Sequence, residues 1–109
     1  MIDILEKNKF LNALGLAYRA RKISIGIDVI CNNIKNGKTK LVIISNEASN
    51  NTKKKINNCV SYYNIPIDEL NISMKELGSC IGKSDIACIA ILDESFVKLI
   101  KKYITLRIH

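Results

Sequence analysis

The chain has 109 residues, 48% hydrophobic and 25% charged, with a formal net charge of +7. That balance predicts one soluble globular domain over residues 1–109, built on a single core. No apolar run approaches the roughly 18 residues of a membrane span. Met1-Ile2-Asp3-Ile4-Leu5-Glu6 lacks the basic-then-apolar layout of an export signal, so a cytoplasmic protein with no membrane partner is expected.

In chain order, residues 8–21 read as a helix with Phe10, Leu11, Leu14, Ala17 and Tyr18 on one face. Gly15 sits among them, where a small residue permits close packing. After Arg21-Lys22, the β-branched pair Ile23 and Ile25 reads as a very short strand. Gly26 then opens a helix whose apolar face is Ile27, Ile30, Cys31 and Ile34, ending at Asn36-Gly37. Its first-turn N–H groups favour an anion such as phosphate, and a glycine there lets a foreign backbone come close. From the pattern alone, the simpler reading is that this glycine only loosens a strand-to-helix turn.

Leu41-Val42-Ile43-Ile44-Ser45 is unbroken and apolar, the pattern of a strand buried on both faces. A polar turn at 46–51 supplies N-cap chemistry for a helix with Ile56, Cys59, Val60 and Tyr63 inward and Lys53-Lys54-Lys55 in its first turn. Asn64-Ile65-Pro66 stops that helix, and Ile67 to Leu70 follows as an expected edge strand. Ser73-Met74-Lys75-Glu76 is a capping box for a short helix through Leu77 and Ile81. Ile86 to Leu92 is the second strongly apolar strand, and Asp93 caps a last helix with Phe96, Val97, Ile100 and Ile104 inward. Helices alternate with strands throughout. The expected fold class is α/β, a three-layer α/β/α sandwich around a small mixed sheet.

Little in the chain supports catalysis. His109 is the only histidine, so no serine or cysteine has an imidazole base nearby in sequence, and the carboxylates lie in turns and caps. No Gly-x-Gly-x-x-Gly occurs, so no dinucleotide or other small-molecule cofactor is expected. Gly78-Ser79-Cys80-Ile81-Gly82-Lys83-Ser84 has one residue too few between its glycines for a phosphate-binding P-loop, and a strand follows it where a helix is required. Cys31, Cys59, Cys80 and Cys88 form no C-x-x-C pair and are read as reduced core residues, with no metal site.

The charge is unevenly placed. Between Lys7 and Lys55 the only acidic residues are Asp28 and Glu47, while beyond Ile56 the signs nearly balance. One basic half suggests a polyanion partner, nucleic acid first. Two glycine-bearing turns with basic flanks remain as candidate sites, Lys22 to Asp28 and Gly82 to Ile86.

Leu14-Gly-Leu-Ala-Tyr-Arg-Ala-Arg-Lys22, Gly26 and Lys40-Leu-Val-Ile-Ile44 together resemble the ribosomal L7Ae/L30e-type proteins. Asn51 to Lys55, Tyr62 to Pro66 and Leu77 to Lys83 look closest to the bacterial YlxQ-type branch of that family. The resemblance implies the same sandwich and a partner of structured RNA, ribosomal RNA or another kink-turn-like RNA, in association with the ribosome or with RNA maturation. A kink-turn is a sharply bent RNA helix with tandem G·A pairs. The implied RNA-binding residues are Arg21, Lys22, Gly26, Ile27, Asp28, Asn32 and Lys35 in the first turn and its helix, and Gly82, Lys83, Ser84 and Ile86 in the second. Ile27 and Ile86 would cover an unstacked base while Lys22, Lys35 and Lys83 meet phosphates. Gly26 is then expected to serve close approach of RNA more than folding. Kink-turn binders commonly follow that glycine with any residue, then Asn-Glu, and a Lys three beyond; Asp28, Val29 and Asn32 stand here instead. A protein-interaction module on the same fold, or an accessory delivering RNA to a separate modification enzyme, are the alternative functions.

Overall fold

A computed structural model describes residues 2–106 of the chain; His109 lies outside the described residues. In order, the elements are β1 (Ile2–Ile4), α1 (Lys7–Arg19), β2 (Ile23–Ile25), α2 (Ile27–Lys35), β3 (Leu41–Ser45), α3 (Asn50–Tyr63), β4 (Ile67–Leu70), α4 (Met74–Ser79), β5 (Cys88–Ile91), α5 (Glu94–Lys101) and β6 (Ile104–Leu106). The strands form one mixed sheet in the order β2-β5-β3-β4-β1-β6. β3 and β1 run parallel to β4, whereas β2 and β3 run antiparallel to β5 and β6 antiparallel to β1.

The two-residue period of a strand divides the core between the two faces of this sheet. Leu41 and Ile43 of β3 join Ile89 and Ile91 of β5 on one face, under Phe10 and Leu14 of α1, Leu77 of α4 and Ile100 of α5. Val42 and Ile44, with Cys88 and Ala90, face the other way against Ile30 and Ile34 of α2 and Ile56 and Val60 of α3. The α/β/α sandwich follows directly: β3 and β5 are buried on both faces, as unbroken apolar runs require.

Local chemistry sets the helix ends. Ser49 accepts a hydrogen bond from the Thr52 N–H to open α3, and Asn64 in the left-handed region closes it. Ser73 and Glu76 form both bonds of the capping box on α4, and Asp93 accepts from Phe96 N–H on α5.

Several sequence expectations are corrected. β4 is not an edge strand, because β1 pairs beyond it and β6 beyond that. Pro66 precedes β4, so its missing N–H leaves no gap in the ladder. α5 ends at Lys101, and Ile104 belongs to β6. α1 stops at Arg19, two residues before Arg21, which adopts φ 61°. The strand expected from Ile86 spans only Cys88–Ile91, and α4 ends at Ser79. Tyr63 is 39% exposed and does not face the core. Cys31 and Cys59 are not reduced: they form a disulfide between α2 and α3, with Cα atoms 5.9 Å apart, leaving Cys80 and Cys88 free.

Candidate nucleic-acid interface

The sheet brings the two glycine turns together. Ile25, the last residue of β2, pairs with Ile89 near the start of β5, so the chain leaves β2 where it enters β5. Gly26 and Ile27 therefore meet Asp85, Ile86, Ala87 and Cys88 around a groove of about 270 Å³ at one end of the sheet. Ile27 and Ile86 are half-buried in its walls, while Gly26, Asp28 and Asp85 are exposed.

Gly26 is the N-cap of α2 with φ 87° and ψ 130°, backbone space that is in practice open only to glycine. Its carbonyl accepts the Ile30 N–H at 2.9 Å, and no side chain caps the first turn. The free N–H groups there leave the positive end of the helix open beside the groove. The conformation corrects the expectation that Gly26 serves approach more than folding, since this turn needs glycine with or without a partner.

The second wall is held down. Lys83 N–H donates to the Gly78 carbonyl at 2.9 Å, Ile86 N–H to the Met74 carbonyl at 3.0 Å, and Ser45 N–H to the Ala87 carbonyl at 2.8 Å. Gly78 lets this happen, because a Cβ there would overlap the Ser84 carbonyl oxygen. Gly82 turns the loop with φ 72°. Behind it, α4 is anchored by Glu76, whose carboxylate meets the Lys7 ammonium at 2.9 Å. That bond first, then the Ser73 N–H and hydroxyl, hold the Glu76 carboxyl below its ordinary value.

The implied site residues divide into two groups. Gly26, Ile27 and Ile86 line the groove, Asp28 and Asn32 are exposed along α2, and Gly82, Lys83 and Ser84 are exposed in the loop seated on Gly78. Arg21 and Lys22 precede β2, a three-residue strand, and so lie about 10 Å away at its opposite end. Lys35 lies in the last turn of α2, toward that same far end. The groove is consequently not the basic centre of the protein: the one charged residue that lines it is Asp85. Sequence reasoning missed Gly78, whose buried position under the loop has no signature beyond the glycine itself.

A family model, the ribosomal protein L7Ae/L30e/S12e/Gadd45 family, matches residues 8–101. The chain is 40% identical to the RNA-binding protein YlxQ of Enterococcus faecium over 98 residues, covering 90% of this chain and 93% of that one. It is 41% identical to the RNA-binding protein YlxQ of Bacillus subtilis (strain 168) over 83 residues, 76% of this chain and 82% of the relative. Among solved structures, a protein with unknown function from Bacillus halodurans superposes with a TM-score of 0.75 at 34% identity, covering 85% of this chain and 97% of that one. The Giardia lamblia 15.5kD RNA binding protein shares the fold, with a TM-score of 0.69 at 17% identity, covering 88% of this chain and 85% of that one. By the match of its model and of these relatives along most of the length, the chain belongs to the ribosomal protein L7Ae/L30e/S12e/Gadd45 family.

Proposed function

We propose that this protein binds structured RNA through the groove between the Gly26 turn and the 82–87 loop. One observation carries the reading: two turns far apart in sequence converge on a single groove that pairs an uncapped helix start with half-buried isoleucines. The helix start offers N–H donors to a phosphate, and Ile27 and Ile86 offer an apolar cover to an extruded base. Lys83 supplies the adjoining charge. Two relatives at about 40% identity bear the name RNA-binding protein, which supports the same partner here. On this reading the activity is binding and not catalysis, exercised in the cytoplasm on ribosomal RNA or another kink-turn-like RNA during ribosome or RNA maturation.

Titration of a fluorescent kink-turn hairpin at several salt concentrations tests the reading. Affinity falls steeply as salt rises, because each neutralised phosphate releases counterions, with a log–log slope of about −0.9 per contact. A flat response would point to the protein-interaction alternative.

A further inference from the structure

We propose that the opposite end of the sheet is a second RNA surface, one that holds the backbone and stacks a base of an unpaired strand while the groove holds a structured segment. The proposal rests on the RNA reading above, and it starts from where the charge lies. The turn before β2 and the last turn of α2 carry Arg21, Lys22 and Lys35 to the end remote from Gly26, and β3 is entered there through Lys38 and Lys40. Backbone bonds hold this end together: Leu92 N–H donates to the Lys22 carbonyl and Lys40 N–H to the Ile91 carbonyl, both at 2.8 Å. Lys22 and Lys40 thus flank the same exit from β5.

All five cations are exposed, and none is in an ion pair among the described residues. The acids at this end are Asp93, already bound as the α5 cap, and Glu94 beside it. The groove end is different: Asp85 lines the groove, Asp28 is exposed in the first turn of α2, and Glu47 is bonded to the Met74 N–H. Arg21, Lys22, Lys35, Lys38 and Lys40 therefore lie remote from the groove, while the exposed Lys54 and Lys55 at the start of α3 and Lys83 stay on its side.

Exposed aromatic rings stand at the same end. α2 and α3 run in the same direction and are joined by the Cys31–Cys59 disulfide. One turn beyond each cysteine lie Lys35 and Tyr63, so the tyrosines that end α3 stand level with the lysine that ends α2. Tyr62 is 80% exposed and Tyr63 39%, and their rings meet edge to face with centroids 4.8 Å apart. Neither ring serves the core. Exposed aromatic rings beside a run of unpaired cations are what a single strand needs, a stacking face for bases and charge for the phosphates. α2 is nine residues long and sets Lys35 about 13 Å from Gly26, so the two RNA segments meet the protein at opposite ends of this helix.

The test uses two probes, a kink-turn hairpin and a fluorescent oligouridylate, with wild type and a Lys38→Gln/Lys40→Gln/Tyr62→Ala variant. Wild type saturated with hairpin still binds the oligouridylate, giving a ternary complex. In the variant the oligouridylate affinity drops about ten-fold or more, and its salt slope shrinks by about 1.4, two contacts at about 0.7 each for a single strand. Hairpin affinity stays within about two-fold. Displacement of one probe by the other, or unchanged oligouridylate binding in the variant, would overturn the second surface. Oligouridylate binding that depends on these residues in a protein with no affinity for the hairpin would keep the second surface and sink the groove reading instead.

Discussion

Gly78 and Ser84 are packed so closely that a Cβ on Gly78 would overlap the Ser84 carbonyl oxygen. The contact seats the 82–87 loop on α4 and so builds one wall of the groove. Gly78→Ala should therefore destabilise the protein by about 1–3 kcal/mol, the usual cost of overpacking, and weaken RNA binding with it. Gly82→Ala is the control: its Cβ meets nothing within 4 Å, and only φ 72° opposes it, a cost of about 1 kcal/mol. Denaturant unfolding of both variants checks the pair. A Gly78→Ala protein as stable as wild type would mean the loop is not seated as described.

Asp28 is exposed in the first turn of α2, and its carboxylate makes no hydrogen bond or ion pair among the described residues. A carboxylate cannot donate to the N7 and O6 acceptors of guanine, whereas an amide can. Asp28→Asn should tighten binding to a standard kink-turn by about 1–3 kcal/mol, the scale of one good base contact. Unstructured RNA should gain less, since only the charge changes. Stability should move by less than about 1 kcal/mol, from the lost attraction of the carboxylate to the helix dipole. Equal or weaker kink-turn affinity in a titration would show that Asp28 does not face the RNA in this way.

The thiols separate by chemistry. Burial pushes the free thiols of Cys80 and Cys88 up to about 11 from an ordinary 9.0. Because only the thiolate reacts, their alkylation in the folded protein should keep accelerating up to about pH 11 and not level off near 9. The raised values also favour the folded state while the thiols are protonated, so that contribution is whole below about pH 9 and lost as pH rises toward 11. The disulfide closes a sequence separation of 28 residues, so reducing it should lower the unfolding free energy by about 2–4 kcal/mol. Alkylation of all four cysteines in the unreduced, unfolded protein would contradict the bridge.

What the sequence made legible was what local chemistry decides. The capping box at Ser73, the cap at Asp93, the stop at Asn64 and the doubly buried run of β3 all carry their signals within a few residues. β1 and β6 did not, because three-residue strands show no period and exist only through partners distant in the chain. For the same reason β4 read as an edge. The pairing of Cys31 with Cys59 depends on two helices lying side by side, which spacing does not reveal. At the site, the two turns were legible but the distribution of charge was not. Arg21 and Lys22 adjoin Gly26 in sequence, yet β2 lies between them and turns that adjacency into opposite ends of the sheet. The same turn also hid the conformation of Gly26. With φ 87°, a Gly26→Val chain is strained before any RNA arrives, so loss of binding in that variant cannot by itself locate the site.

Amide shift mapping of the isotope-labelled protein during titration with a kink-turn hairpin tests the central claim most directly. The groove account predicts that the largest changes fall on Gly26, Ile27 and Asp28 together with Gly82, Lys83 and Ala87, and that they saturate with one midpoint. Saturation of the hairpin with those amides unmoved, and the changes confined to the end of the sheet that carries Lys38 and Lys40, would contradict it.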